Sequence, residues 1–285
     1  MRRGDLEDGR NRWRLNAEVA GARERGDNGT RAGRSRYALD SVSDQPPILN
    51  EVDTYGPAYM RVANQLGRYD GNEEEAPLAM ELLGVKPGDR VIDAGCGLGR
   101  FVAALADAGA DAVGVDISEI AIAAAKREYP GPTYYVADLM QPLPPELKGF
   151  DGLVSLSSSF GFGETVAEDE AMMRAYHEML RPGGKMAMEL SDLERSRYRL
   201  KTDEGVVERE TNGVKETLDV NFSTGMLHVH YVFGDDVVDS RIRMYEAEDL
   251  ERMAADAGFR EMERYGNFAG GPKRPEDRLV LVATA

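Results

Sequence analysis

Val91-Ile92-Asp93-Ala94-Gly95-Cys96-Gly97-Leu98-Gly99-Arg100-Phe101 decides the fold. Val91 and Ile92 are β-branched and apolar, as a buried parallel strand requires. The alternating glycines remove Cβ atoms where the chain turns sharply and a ligand can come close. Phe101, Leu105 and Ala108 then recur at helical spacing, with Gly109 as the stop. Strand, bare turn and helix start, in that order, offer free backbone N–H groups and the positive end of a helix dipole to whatever binds there.

A glycine turn by itself fits any α/β protein, and the segments that follow narrow it. Ala112-Val113-Gly114-Val115 reads as the next strand and ends in Asp116, 21 residues after Gly95. A carboxylate at that point can accept hydrogen bonds from ribose hydroxyls. Thr133-Tyr134-Tyr135-Val136 reads as the third strand, with Ala137-Asp138-Leu139 after it. Dinucleotide enzymes favour the order G-x-G-x-x-G. Here the third glycine comes one place early, at Gly99, and Arg100 fills the position that order needs.

Four segments together resemble the class I S-adenosylmethionine-dependent methyltransferases. They are Asp93-Ala94-Gly95-Cys96-Gly97-Leu98-Gly99, Val113-Gly114-Val115-Asp116-Ile117-Ser118, Ala137-Asp138-Leu139 and Leu180-Arg181-Pro182-Gly183-Gly184-Lys185. The resemblance runs from about Val85 to Glu189 and resumes near Tyr245. It implies a Rossmann-like α/β fold: a seven-stranded, mostly parallel sheet, helices on both faces, and the last strand inserted antiparallel between its neighbours. It also implies S-adenosyl-L-methionine as cofactor. Asp93 with Gly95 and Gly97 would hold the methionine part, Asp116 the ribose, and Asp138 with Leu139 the adenine. Cys96, Ile117 and Ser155 complete the expected cofactor contacts. In this family the loop after the fourth strand faces the transferring methyl group. Enzymes acting on exocyclic amines of bases commonly carry an Asn/Asp-Pro-Pro-aromatic run there. This chain has Ser157-Ser158-Ser159-Phe160-Gly161-Phe162-Gly163 instead, which favours a small-molecule acceptor over nucleic acid.

Composition sets the outer limits. The chain has 285 residues, enough for one large α/β domain with additions, and 42% hydrophobic content supports a sizeable core. No apolar run reaches the length of a membrane span. The basic N-terminus lacks the apolar core of a secretory signal, and its acids are foreign to a transit peptide, so a cytoplasmic location is expected. The single cysteine, Cys96, excludes an internal disulfide and gives no zinc set. Net charge is −16; residues 1–36 hold ten arginines and six acids, a balance of +4, so the remainder carries −20. An acidic body argues against a broad phosphate-binding face and is compatible with a cationic or neutral small substrate.

Along the chain, residues 1–45 are too poor in apolar side chains to pack a core and read as a mobile tail. Residues 46–84 read as helices covering the cofactor site. Residues 85–190 and 246–285 form the cofactor-binding domain, and residues 191–245 an antiparallel β insertion that caps the acceptor pocket. Tyr55, Tyr59, Val62 and Leu66 make one helical stripe, and Ser118 is an N-cap with Ile117 and Ile122 as a hydrophobic staple. Expected pocket residues are Tyr55, Tyr59, Ser158, Phe160, Phe162 and Glu189. For Tyr55, Tyr59, Phe160 and Phe162, simple core packing explains the residues equally well. His228 and His230 share one strand face, without a convincing carboxylate or cysteine set for metal. They stand with Tyr55 and Tyr59 as weak catalytic candidates, and His177 has no evident acid or nucleophile partner.

The expected activity is therefore methyl transfer to a small molecule, in secondary metabolism. Nitrogen is slightly favoured, because a neutral amine needs little base help whereas a hydroxyl needs a positioned base. The alternatives are an oxygen acceptor, a nucleic-acid acceptor reached through the arginine tail, a non-catalytic binding protein of the same fold, and an NAD enzyme. The nucleic-acid alternative is disfavoured. No membrane or metal is expected, and a homodimer stays open.

Overall fold

A computed structural model describes residues 56–68, 70–201 and 204–285, with Glu204 described in backbone only. The expected tail over residues 1–45, and Tyr55, lie outside the described residues.

Two helices lead in: α1 (Pro57–Gln65) and α2 (Asn72–Leu83). The βα rhythm follows: β1 (Arg90–Ala94), α3 (Arg100–Asp107), β2 (Asp111–Asp116), α4 (Glu119–Glu128), β3 (Thr133–Val136), β4 (Phe150–Ser155), α5 (Val166–Met179) and β5 (Leu180–Leu190). Then come α6 (Leu193–Leu200), β6 (Glu204–Thr211), β7 (Val214–Asn221), β8 (Met226–Phe233), β9 (Asp236–Arg243), α7 (Ala247–Ala257), β10 (Arg260–Tyr265) and β11 (Leu279–Thr284).

The main sheet has seven strands in the order β10-β11-β5-β4-β1-β2-β3. Strands β1 to β5 pair in parallel, while β11 pairs antiparallel with both β5 and β10. The alternation of side chains along each strand builds two cores at once. Ile92, Leu153, Met186, Leu279 and Leu281 face α5 and α7 through Met172, Met173, Tyr176, Leu250 and Met253. Their neighbours Val91, Val154, Ala187, Val280 and Val282 face α2, α3 and α4 through Met80, Phe101, Leu105 and Ile122. Helices on both faces follow from strands whose central residues are apolar on both sides of the sheet.

The second sheet is the expected insertion, a four-stranded antiparallel meander β6-β7-β8-β9. Its apolar face, with Leu218, Val229, Tyr231 and Val238, packs on Val62 and Leu66 of α1. The turn at residues 222–225 is held by Asn221, whose Oδ1 accepts from Ser223 N at 3.0 Å and Thr224 N at 3.1 Å. Two details differ from the sequence-based expectation. Residues 191–245 open with a helix, α6, capped by Asp192, whose Oδ1 accepts from Arg195 N at 3.0 Å. Strand β5 begins at Leu180 rather than Lys185, because Gly183 N donates to the Ala285 carbonyl and Ala285 N to the Gly184 carbonyl.

The loop between β4 and α5 is tied to the insertion by a fully buried carboxylate. Asp169 accepts from Gly163 N at 2.8 Å, Arg243 Nη1 at 2.8 Å and Tyr245 Oη at 2.6 Å. Removing it strands a largely buried arginine. Asp169→Ala should therefore cost about 3 kcal/mol in urea unfolding, the scale set by breaking one partner of a buried pair.

Candidate active site

Parallel strands all end at one edge, and the turns after them gather side chains from distant parts of the sequence. At the ends of β1 and β2, Gly95 N and Cys96 N donate to the Val115 carbonyl at 2.9 and 3.0 Å. Asp116 is clamped from two sides: Oδ2 accepts from Gly97 N at 2.8 Å and Oδ1 from Ser118 N at 2.9 Å. Gly95 has φ +84, and a Cβ there would meet the Ser159 Cβ at 2.7 Å. Gly97 has φ +51 and open space within 4 Å of its missing Cβ. The main chain at Gly97 is therefore bare on the side a ligand would take.

Asp93 is 2% exposed, and its Oδ1 has no hydrogen-bond partner. Burial, with a smaller push from the Asp116 charge, raises its carboxyl to about 8. A buried carboxylate without a donor calls for a cation or a hydrogen-bond donor beside it. The ammonium of an amino-acid moiety meets that need. Next to Asp116, Ile117 stands 61% exposed while Ile122 is buried. The expected staple between them is therefore replaced by an apolar side chain held out at the strand edge, where a flat ring can rest on it. Asp138 Oδ1 accepts from Met140 N at 2.9 Å, and Leu139 is buried. The bare glycine turn with the unpaired Asp93 carboxylate, the Asp116 carboxylate and the exposed Ile117 would suit the amino-acid, ribose and ring parts of S-adenosylmethionine respectively. Two expected contacts are turned inward. Cys96 is buried, and burial pushes its thiol well up. The Ser155 hydroxyl is buried against Tyr176 Oη at 3.0 Å.

The turn after β4 touches this edge through Ser159, whose hydroxyl donates to the Leu156 carbonyl at 2.6 Å and lies 3.3 Å from the Gly95 carbonyl. Ser157 and Ser158 both adopt left-handed backbone, φ +55 and +64. Glu189 holds them there: its Oε2 accepts from Ser157 N at 3.0 Å and its carbonyl from Ser158 N at 3.1 Å. Arg278 pairs with the Glu189 carboxylate and donates from Nη2 to Ser158 Oγ at 3.0 Å. Sequence reasoning named Ser158 and Glu189 but missed Arg278 and Arg195. The available signal was position, since Arg278 immediately precedes β11 and Arg195 lies in the first turn after β5.

The remaining candidates fall elsewhere. Phe160 is 3% exposed between Tyr176 and Tyr245, ring centroids 6.1 and 6.0 Å away, so it is core rather than pocket wall. Tyr59 is engaged by Arg68, whose Nη1 donates to its hydroxyl at 2.9 Å; Arg68 also donates to Tyr231. Phe162, His228 and His230 line one shallow groove of about 480 Å³ with Thr217, Asp219 and Asp239. That groove lies on the polar face of the second sheet, and none of the glycine-turn residues borders it. In it His230 Nδ1 and Asp239 Oδ1 are 2.8 Å apart, both side chains exposed. His177 stacks edge-on to Phe259 at 5.1 Å, near the last turn of α5 and so at the opposite edge of the sheet. Among the described residues no three His, Cys, Asp or Glu side chains gather as a metal site. Among the same residues no helix is long and apolar enough to cross a membrane.

Residues 91–184 match a family described as a methyltransferase domain. An uncharacterized methyltransferase of Synechocystis is 38% identical over 118 residues, covering 41% of this chain and 54% of that protein. The chain spans about half the length of the curated relatives it matches. Among solved structures, the CcbJ methyltransferase of Streptomyces caelestis superposes with a TM-score of 0.65 at 20% identity, over 76% of this chain and 89% of that one. The sugar N-methyltransferase KedS8 of Streptoalloteichus gives 0.56 at 20% identity, over 87% and 98%. The strand order and the glycine turn thus coincide with the segment that matches a methyltransferase domain, and over residues 91–184 the chain is similar to the class I S-adenosylmethionine-dependent methyltransferases.

Proposed function

We propose that this protein transfers the methyl group of S-adenosylmethionine to an amine nitrogen of a small molecule. The unpaired Asp93 carboxylate beside the glycine turn carries the donor half of that reading. When bound, the cofactor supplies a methyl group activated on a sulfonium. Asp93 would hold the cationic amino group, directly or through water. Gly95 and Gly97 leave the main chain open to the methionine part. The clamped Asp116 carboxylate would accept from ribose hydroxyls, with Ile117, Asp138 and Leu139 around the adenine. Catalysis then comes mainly from holding an acceptor in line, since transfer from a sulfonium spreads charge rather than creating it.

The choice of nitrogen rests on the strand edge itself. Glu189, the carboxylate nearest the expected acceptor, is already engaged by Ser157 N–H and Arg278, which suits an acceptor needing no base. The resemblance in fold to a sugar N-methyltransferase supports the same choice. Oxygen methylation is the second reading, favoured by one observation: the Asp239-oriented His230 in the groove beside Phe162. Loss of turnover in His230→Ala, with an oxygen-methylated product by mass spectrometry, would select it.

S-adenosylhomocysteine, and not NAD, should raise the melting temperature. Asp116→Ala should weaken S-adenosylhomocysteine by about 1–3 kcal/mol in calorimetry, the range for hydrogen bonds to a charged group; equal affinity removes the ribose assignment.

Asp93 adds a pH signature. In the free protein its carboxyl is raised to about 8, so it is largely protonated at neutral pH. Seating an ammonium beside it favours the carboxylate and releases a proton. Affinity for S-adenosylhomocysteine should therefore tighten as pH rises from 6 to 8, and Asp93→Asn should flatten that slope. The linkage sign for stability is opposite. An unfolded aspartate ionises near about 4, so the ligand-free fold loses stability to Asp93 as pH climbs from there towards 8. Urea unfolding at pH 5 and pH 8 should show Asp93→Asn gaining on the parent by on the order of 2 kcal/mol.

A further inference from the structure

Arg195 and Arg278 meet at the carboxyl edge, beside the strained turn after β4. Ser158 Oγ accepts from Arg278 Nη2 at 3.0 Å and from Ser191 N at 3.0 Å. Arg195 Nη1 donates to Ser191 Oγ at 3.2 Å, and Arg195 Nε to the Glu276 carbonyl at 3.2 Å. The two guanidiniums are thus joined through Ser158 Oγ, the Ser191 backbone N–H and Ser191 Oγ. Their charge partners differ. Arg278 is ion-paired with Glu189. Arg195 has only neutral acceptors, and among the described residues no carboxylate forms an ion pair with it. The acids nearest it on α6, Asp192 and Glu194, are taken up by Lys273 at 3.3 and 3.0 Å. Arg199, one turn further along α6, forms no ion pair among the described residues; Arg209 and Arg278 repel it while Glu216 attracts it. Burial first, then repulsion from Arg278 and Arg199, pulls the Arg195 guanidinium down to about 9 against the weaker attraction of Glu189 and Asp192.

A half-buried guanidinium facing like charges is costly until an anion joins it. The surroundings supply what an oxyanion needs. Each guanidinium is a planar fork that matches a carboxylate or phosphate. Ser158 Oγ already accepts twice, which leaves its own proton to donate. The same turn reaches the glycine loop through Ser159 and Gly95.

We propose that Arg195 and Arg278, with Arg199 behind them and the Ser158 hydroxyl between, hold an oxyanion group of the methyl acceptor, a carboxylate or a phosphate. The acceptor then carries both an amine and an anionic group, rather than being purely cationic or neutral as the bulk charge suggests. The oxyanion site stands on the geometry alone; only its assignment to the acceptor rests on the transfer reading above.

The test is calorimetric titration of inorganic phosphate and of malonate into the full chain at constant ionic strength, with and without S-adenosylhomocysteine. One-to-one saturable binding of at least one anion is expected, and the tighter of the two distinguishes phosphate from carboxylate. Arg195→Gln should weaken that binding tenfold or more. Arg274→Gln, an exposed arginine in the loop before β11, should leave it unchanged. No saturable binding in the parent, or equal binding in Arg195→Gln, overturns the proposal. Should glutamine unfold the chain, Arg195→Lys keeps the charge and discards the fork. It should weaken binding at least threefold at an unchanged melting temperature, and unaltered binding again overturns the site. Failure of the transfer reading looks different: the parent then binds the anion but not S-adenosylhomocysteine.

Discussion

Asp93 lies near the end of β1, inside a seven-stranded sheet, with one oxygen unpaired and almost no exposure. Burying a carboxylate in that way costs free energy on the scale of several kcal/mol unless it is protonated or partnered. The chain could have relieved the cost with one hydrogen-bond donor. Instead the nearest backbone donors are committed elsewhere: Gly95 and Cys96 to the Val115 carbonyl, Gly97 to Asp116. The glycine turn is thereby fixed in shape, while the acid beneath it stays in need of a partner. The fold holds a site in readiness at the expense of its own ligand-free stability, a trade seen where function outranks packing.

The turn after β4 shows the same trade in backbone terms. Two consecutive serines in the left-handed region cost roughly 1–2 kcal/mol each, because neither is glycine. Glu189 offsets this by accepting from both backbone N–H groups, and Arg278 anchors Glu189 from the neighbouring strand. That arrangement is possible only because β11 runs antiparallel. Its first residues lie at the edge where β5 ends, so Arg278 arrives beside Glu189 from nearly ninety residues away in the chain. The inserted direction of one strand decides which side chains can meet at that edge.

Much of the main sheet was legible in the sequence because its signals are local. Apolar runs at 91–92, 112–115 and 279–282 mark buried strands, and the acids after the first two, Asp93 and Asp116, sit where those strands end or nearly end. The residues of the glycine turn and Asp116 are close in sequence, and the structure brings them together as neighbours. What was missed depends on long-range geometry. Helix α6 is short and half charged, so the face it turns inward is only Leu193, Ser196 and the partly buried Leu200. Phe160 reads as a loop aromatic until Tyr176 and Tyr245 are seen to enclose it. Arg195 and Arg278 carry no motif; only the pairing of β11 with β5 makes them a pair.

The same contrast governs charge. A net charge of −16 describes the field far from the surface, where acids and bases are averaged. At physiological salt that field decays over about 8 Å, so a bound group responds to the few side chains within contact distance. Around the turn after β4 those are Arg278, Arg195 and two serine hydroxyls, with Glu189 already neutralised. Around the glycine turn they are Asp93 and Asp116. The two halves of one sheet edge thus differ: carboxyl groups at the glycine turn, with Asp93 neutral until a cation joins it, and guanidiniums beside the turn after β4. A molecule whole in solution feels an acidic protein on approach; a ligand seated across that edge meets a dipole, and its orientation is set by which end carries which charge.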